Sequence, residues 1–115
     1  MKESPDPPGN SASASDDRRK APRFAFVATT EFTESANATK WSGTVTEISR
    51  TGCYVDILNT LPEGTMLDVH ISCDRGRFDT RGKVVYVQER MGMGVVFLDS
   101  AKEQLEILDS WLAKL

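Results

Sequence analysis

Arginine residues are concentrated in one short stretch near the start of the chain, "DDRRKAPRFAF" at residues 16–26. Arg19 and Arg23 are separated by three residues, and Arg18 and Lys20 lie beside them. The planar guanidinium group matches a phosphate through two parallel hydrogen bonds, and it also matches the O6 and N7 acceptors of guanine. The stretch is a candidate anion site, although a basic run where a tail meets a domain is most often solvated charge.

A second polar cluster, "EISRTG" at residues 47–52, lies further along the chain. The Glu47 carboxylate can accept hydrogen bonds from the N1–H and N2–H of guanine, and the Ser49 hydroxyl can donate or accept. We expect these two side chains to share a strand face, because they are two residues apart. Gly52 favours a tight turn and a close approach by a ligand. Alone these are ordinary polar residues near a turn, but with the arginines they suit a ligand that carries both phosphate and guanine.

Alternating apolar residues predict the six β-strands that must position these clusters. The first strand, "FAFVATTEF", places Phe24, Phe26, Ala28 and Phe32 on one face. Turn signals such as "RTG", "NTLPEGT" and "DRG" separate the remaining strands, which are "KWSGTVTEIS", "CYVDIL", "MLDVHISC", "RFDTRGKVVYV" and "MGVVFL". Short turns between consecutive strands predict a closed or nearly closed antiparallel barrel. Because one hairpin separates the two polar clusters, we expect them to meet at one end of the barrel.

Both ends of the chain depart from the strand pattern. Residues 1–17 are rich in Pro, Ser, Gly, Ala and Asp and predict a disordered tail, so that the folded domain spans residues 18–115. From Ser100 the apolar period becomes helical, and Ser100 and Glu103 have capping-box spacing. This C-terminal helix is predicted to cover the mouth or one side of the barrel with an apolar stripe, namely Leu105, Leu108, Leu112 and Leu115, flanked by Trp111.

Charge and hydropathy argue against DNA binding and membrane insertion. The net charge is −3, and only residues 1–23 are slightly basic, with five Lys/Arg against four Asp/Glu. A general DNA-binding protein is usually basic overall. No apolar run is long enough to span a membrane, and the polar N-terminus is not typical of a secretory signal.

Catalytic and metal-binding patterns are not apparent. Cys53 and Cys73 form no CxxC pair and have no histidine at ligand spacing, so we interpret them as buried reduced thiols of a cytoplasmic protein without a metal or cofactor. His70 falls on the predicted solvent face of a strand with no acid–base partner nearby in sequence, and no nucleophile elbow is present. An oligonucleotide-binding barrel is a further alternative, disfavoured by the acidic body and the few exposed aromatics.

The ordered motifs resemble those of the PilZ domain, a bacterial receptor module for the second messenger cyclic di-GMP. The family pattern is RxxxR, then [D/N]xSxxG after one hairpin, then a late strand with GxG and apolar residues. The corresponding stretches are "RKAPR", "EISRTG" and "GMGVVF", the last spanning Gly92 to Phe97 and including Gly94. Neither short motif is specific alone. The two motifs in this order, together with the barrel pattern, are a much more specific signal. The resemblance covers roughly residues 17–115 and implies a six-stranded barrel with a C-terminal helix.

Cyclic di-GMP is the ligand that the resemblance implies. Arg19 and Arg23 would bind phosphate and guanine edges, and the acidic and serine positions of the second motif, Glu47 and Ser49, would contact a guanine. Family members with another arginine directly before RxxxR bind two intercalated ligands, and Arg18 holds that position. The resemblance therefore implies two ligand molecules per protein.

Two positions qualify this expectation. Tyr86 on the fifth strand is either a residue that stacks on a ligand base or a half-buried strand aromatic. Glu47 replaces the usual Asp or Asn, and its extra methylene moves the carboxylate by about 1.5 Å. We predict a non-catalytic receptor that changes the conformation of its N-terminal arm and signals to a partner protein. The alternative is a degenerate PilZ module that binds proteins and no nucleotide.

Overall fold

Six strands and one helix make up the part of the chain that the computed structural model describes, residues 22–115. The predicted tail and Arg18, Arg19 and Lys20 lie outside these residues. Each predicted strand is present. In chain order the elements are β1 (Phe24–Glu34), β2 (Lys40–Ile48), β3 (Gly52–Asp56), β4 (Met66–Cys73), β5 (Gly76–Gln88), β6 (Gly92–Leu98) and α1 (Lys102–Leu112).

The strands form a closed barrel in the order β1-β2-β3-β6-β5-β4, and every neighbouring pair is antiparallel. Closure confirms the sequence prediction and leaves no strand edge open for pairing with another chain. Strand β3 pairs with β6 and not with β4, so the connection after β3 crosses one end of the barrel. The pairing of β3 with β6 brings the turn between β2 and β3 beside the C-terminal end of β6, where the Phe97 N–H donates to the Thr51 carbonyl.

Side chains that alternate along each strand fill the barrel interior. Along β1 every second residue from Phe26 to Phe32 is buried, as the alternation predicted. Strand β4 shows the same alternation, with Leu67, Val69 and Ile71 buried. Full burial of such a side chain contributes about 1.5–3 kcal/mol. The barrel interior is therefore filled by apolar packing, and the half-exposed Glu47 of the predicted site lies on the outer surface.

A β-bulge in β2 breaks the alternation next to the second polar cluster. The register with β3 shifts between Val45 and Glu47. As a result Val45 and Ile48 are both fully buried although they are three residues apart. Glu47 is left on the outer surface, with its side chain half-exposed. Bulges commonly redirect a side chain in this way, and here the redirected side chain is the carboxylate of the predicted site.

The C-terminal helix packs its apolar face onto the barrel core, as predicted. The centre of this contact is Trp111, however, and not a stripe of leucines. Leu108 and Trp111 are its buried residues, and the indole of Trp111 stacks on Phe26 with ring centroids 5.5 Å apart. Leu115 lies beyond the last helical residue and is 46% exposed. Trp111 thus anchors the helix and does not merely flank a leucine stripe.

The predicted capping box is wrong. The helix begins at Lys102 with Ala101 as its N-cap, and no side chain caps it. The Ser100 hydroxyl instead pairs with the Thr80 hydroxyl on β5 at 2.6 Å. Because Ser100 is engaged with the barrel, its oxygen is not available to the first turn of the helix.

Both cysteines are free thiols, Cys53 buried and Cys73 only half-buried. Within residues 22–115 no cluster of three or more His, Cys, Asp or Glu side chains could hold a metal ion. No helix in the same range has the length and apolar character needed to cross a membrane.

Candidate functional site

Arg23 lies at the centre of a surface site built from β1, β2 and β5. Its Nη1 atom donates to the Tyr86 hydroxyl at 3.3 Å and lies 3.5 Å from Oε1 of Glu47. The pairing of β1 with β2 causes this meeting, since Ala25 is opposite Glu47 in the ladder. Three residues that the sequence placed in one site therefore lie together, although up to 63 positions separate them in the chain.

The Arg23 guanidinium remains a strong cation in this setting. Partial burial would lower its pKa, but the hydrogen bond and charge interaction with Tyr86, followed by those with Glu47, outweigh burial and raise the pKa. The group has five N–H donors, and its contacts in the site are long. It can exchange these contacts for shorter, charge-assisted hydrogen bonds to a phosphate or a purine edge.

Ser49 does not share a strand face with Glu47, contrary to the sequence prediction. Strand β2 ends at Ile48, and Ser49 is 4% exposed. Its Oγ atom accepts hydrogen bonds from the backbone N–H groups of Thr51 and Gly52, both at 3.2 Å. The Ser49 N–H donates to the Gly52 carbonyl at 2.8 Å. Strand periodicity fails here because the side chain folds back to satisfy the turn, so Ser49 holds the shape of the turn between β2 and β3.

Gly52 is required for a reason other than the predicted tight turn. Its φ is not positive, unlike that of Gly64 and Gly76. A Cβ atom added at Gly52 would overlap the backbone carbonyl oxygen of Val95 on β6. The absence of a side chain therefore lets β3 and β6 close the barrel directly beside the site.

Two tyrosines lie flat across the glycines of β6. Gly94 pairs with Tyr54 on one side and Tyr86 on the other, and a Cβ atom at Gly94 would overlap the Tyr86 ring. The two rings stack with centroids 6.1 Å apart and planes inclined by 29°. Tyr86 is half-buried, which agrees with the predicted half-buried strand aromatic, and its stacking on a ligand base stays a prediction. Tyr54 was missed by sequence reasoning, because its position opposite Gly94 follows only from the pairing of β3 with β6.

The Tyr54 phenol is a neutral hydrogen-bond donor. Burial raises its pKa first, and the nearby Tyr86, Asp56 and Glu47 raise it further. Its hydroxyl donates to Oε1 of Gln88. The site thus continues from Arg23 through the two rings to Gln88.

A shallow pocket of about 130 Å³ lies in front of these groups. Five of the predicted site residues line it: Arg23, Ser49, Gly52, Tyr86 and Gly94. Glu47 stands at its rim through the contact with Arg23. Arg18 and Arg19, the remaining predicted members, lie outside the described residues.

Cys53 also lines this pocket, but it is not suited to covalent chemistry. Burial raises the pKa of its thiol to about 12, against a small opposing effect of the Arg23 charge. A thiolate is the reactive form of cysteine, and at neutral pH Cys53 is almost entirely a thiol. Cys53 is therefore a packing group of the site and not an activated nucleophile.

A separate polar cluster occupies the outer face of β4 and β5. His70 does have an acid–base partner, because it is directly opposite Asp79 in the ladder, with Nδ1 and Oδ1 2.7 Å apart. Arg77 Nε contacts the same carboxylate at 2.6 Å. Sequence reasoning missed this pair, although the short hairpin turn between β4 and β5 sets the register that places His70 opposite Asp79. The cluster contributes to pockets that the Arg23 site does not share.

Comparison of the chain with known protein families and solved structures agrees with the fold described above. The model of the PilZ domain family matches residues 17–114. No curated protein sequence matches the chain. Among solved structures, the PilZ domain of YcgR with c-di-GMP from Escherichia coli is similar, with a TM-score of 0.72 and 15% identity, over 86% of this chain and 92% of that one.

Two longer proteins share the same fold. The K. pneumonia MrkH–c-di-GMP complex matches with a TM-score of 0.73 and 15% identity over 85% of this chain, and the Bacillus subtilis inhibitor of motility MotI/DgrA with 0.70 and 17% over 85%. The chain covers 51% and 50% of these two proteins, about half their length. Since the family model spans nearly all of the sequence outside the predicted tail, the chain belongs to the PilZ domain family.

Proposed function

We propose that the protein is a receptor for cyclic di-GMP without catalytic activity. One observation carries this proposal: Arg23, Glu47 and Tyr86 converge beside the turn that Ser49 and Gly52 form. A cation, a carboxylate acceptor and an aromatic ring are the groups needed for phosphate, the guanine edge and the base face respectively. The YcgR and MrkH structures, both described as complexes with c-di-GMP, support the choice of ligand.

Each group has a proposed role in recognition. Arg23, together with Arg19 from the preceding segment, binds phosphate oxygens and the O6/N7 edge of a guanine. Glu47 accepts from the guanine N1–H and N2–H, and Tyr86 stacks on the base. Ser49 acts by holding the turn rigid, and Gly52 and Gly94 keep the surface free of side chains. Ligand binding requires Arg23 to exchange its contacts with Glu47 and Tyr86 for contacts with the ligand.

Signalling would proceed through the segment that precedes Arg23. Ordering that segment over the ligand costs conformational entropy, which several charge-assisted hydrogen bonds offset. The ordered segment and the ligand form a new surface for an effector protein in the bacterial cytoplasm. With Arg18 next to the first motif, we propose two ligand molecules per protein.

A nucleotide-free interaction module is the second candidate, and the Arg23–Glu47 contact favours it. The longer glutamate reaches the guanidinium at 3.5 Å, so the site can satisfy its own charges without a ligand. Such a module would capture its partner equally well with and without nucleotide.

Isothermal titration calorimetry with cyclic di-GMP tests the first proposal. We expect binding by the wild-type protein, and a dissociation constant raised about 10- to 100-fold by Arg23→Ala, since hydrogen bonds to charged groups contribute about 1.5–3 kcal/mol each. Arg81→Ala is the matched control, because Arg81 is an exposed β5 arginine whose partner is Asp68. Absence of heat from folded wild-type protein at high micromolar ligand would refute the receptor and leave the interaction module.

A further inference from the structure

We propose that Tyr54 is a second base-stacking residue, and that the surface beyond it binds a guanine base of the ligand. This inference rests on the proposed function and extends the site across β6 to β3. The surface consists of the Tyr54 and Tyr86 rings, together with Asp56, Gln88 and Arg90 at its far end, and is called the β3 base site below.

The two rings form one continuous aromatic surface. Tyr54 and Tyr86 approach each other over β6, where Gly92 and Gly94 leave room for them, and their planes differ by only 29°. Both rings are half-buried, so part of each is open to solvent. A ring fixed on a strand in this way loses little entropy when a base stacks on it, and base–aromatic stacking is strong for every base.

A shallow, wide-open depression of about 610 Å³ adjoins the Tyr54 ring, and Arg23 does not line it. Ile57, Leu58 and Met91 form its apolar part, and Leu58 and Met91 are 66% and 64% exposed. Asp56, Gln88 and Arg90 supply its polar groups. Exposed apolar side chains beside a few polar groups can contact the face and the edge of a base.

The polar groups of the β3 base site favour guanine over adenine. Guanine presents the N1–H and N2–H donors on its Watson–Crick edge, and the Asp56 carboxylate and the second lone pair of Gln88 Oε1 can accept them. The Gln88 amide and the Arg90 guanidinium can donate to O6 or N7. Adenine has an acceptor at N1 and no donor at position 2, so it would leave a carboxylate oxygen without a partner.

Titration of cyclic di-GMP into Tyr54 variants tests the inference. We expect Tyr54→Leu, which keeps an apolar side chain but removes the aromatic ring, to raise the dissociation constant about ten-fold or more, and Tyr54→Phe to stay within about three-fold of wild type. Wild-type affinity in Tyr54→Leu would overturn the inference while leaving the receptor intact. Absence of wild-type binding would instead refute the proposed function, so the two failures differ.

A fluorescence measurement covers the case in which Tyr54→Leu does not fold. In Tyr54→Trp, stacking of guanine on the introduced indole quenches emission, and subtraction of the wild-type titration removes the response of Trp41 and Trp111. Emission that does not change at saturating ligand would contradict stacking at this position.

Base selectivity tests the polar part of the β3 base site. We expect Gln88→Leu to reduce the preference for cyclic di-GMP over cyclic di-AMP by several-fold, about the effect of one hydrogen bond. An unchanged preference in this variant would show that Gln88 does not read the base.

Discussion

Arg23 is the residue on which the proposed function depends most, and Glu47 determines how easily it is released. The glutamate carboxylate reaches Nη1 of Arg23 at 3.5 Å because the β2 bulge directs it outward beside β1. An exposed pair of this kind contributes little to stability, between about 0 and 1 kcal/mol. Its main effect is on the ligand, which must compete with it.

The effect of side-chain length at position 47 on ligand binding can be tested with a single substitution. We expect Glu47→Asp to bind cyclic di-GMP more tightly than wild type by a few-fold, about 0.5–1 kcal/mol in binding free energy, because the shorter carboxylate no longer reaches Arg23 and still faces the guanine. Calorimetric titration of both proteins measures this. Weaker binding by Glu47→Asp would show that the extra methylene is part of guanine recognition.

The Cys53 thiol gives a prediction about pH. Its pKa is raised by burial to about 12 in the folded protein, above the value of 9.0 for an unperturbed thiol. A group with a raised folded pKa stabilises the fold fully below its unfolded pKa, and this contribution is lost as pH rises from about 9 towards 12. We expect the free energy of unfolding to fall there by up to about 1.4 kcal/mol per pH unit.

Urea denaturation at several pH values between 8 and 11 measures this effect, roughly the window in which the thiol of the unfolded chain ionises. The control is Cys53→Ala, which lacks the thiol and should lose less stability over the same range. Tyr54, whose pKa is also raised, contributes equally to both proteins. Parallel pH profiles for wild type and Cys53→Ala would contradict the assignment.

At the scale of elements, the glycines beside the site have separable roles. Gly52 faces the backbone of β6, whereas Gly94 faces the ring of Tyr86. A backbone carbonyl cannot move without disturbing the barrel, but a side chain can rotate away. The same substitution at the two positions should therefore damage different properties.

We expect Gly52→Ala to lower the free energy of unfolding by about 1–3 kcal/mol, as is typical of overpacking. Gly94→Ala should displace Tyr86 and raise the dissociation constant for cyclic di-GMP about ten-fold, with the smaller loss of stability. Paired measurements of urea midpoints and binding constants test this. The opposite ranking, with Gly94→Ala the less stable variant and normal in binding, would be inconsistent with the ring lying on Gly94.

The C-terminal helix depends on one aromatic anchor. Trp111 is 1% exposed, stacks on Phe26 and meets Phe78 edge-on with ring centroids 6.3 Å apart. We expect Trp111→Ala to cost about 3–5 kcal/mol in unfolding free energy, and Leu115→Ala, beyond the helix, to stay within about 0.5 kcal/mol. Chemical denaturation of both variants measures these two free-energy changes. A small loss for Trp111→Ala would mean that the helix is not part of the cooperative fold.

At the scale of the whole molecule, the sequence predicted what depends on periodicity and missed what depends on cross-strand register. Alternation places Phe26, Phe32, Val69 and Ile71 in the core, so the strands and the barrel followed from it. The β2 bulge, the Ser49 turn and the Tyr54–Tyr86 stack depend on which strands become neighbours, above all on the pairing of β3 with β6. No local pattern encodes that pairing, which is why Tyr54 was missed. The His70–Asp79 pair instead follows from the register of the local β4–β5 hairpin, which the sequence analysis did not work out.

The most direct test of the whole account is a ¹H–¹⁵N chemical-shift titration of the full chain with cyclic di-GMP. The account predicts saturable shifts at Arg23, Glu47, Gly52, Tyr86 and Gly94, together with the amides of residues 18–21, while His70 and Asp79 on the other face stay unchanged. Saturation at two equivalents would support two ligands per protein. Absence of shifts at excess ligand, or shifts confined to the His70–Asp79 face, would contradict the claim that the Arg23 site is the receptor site.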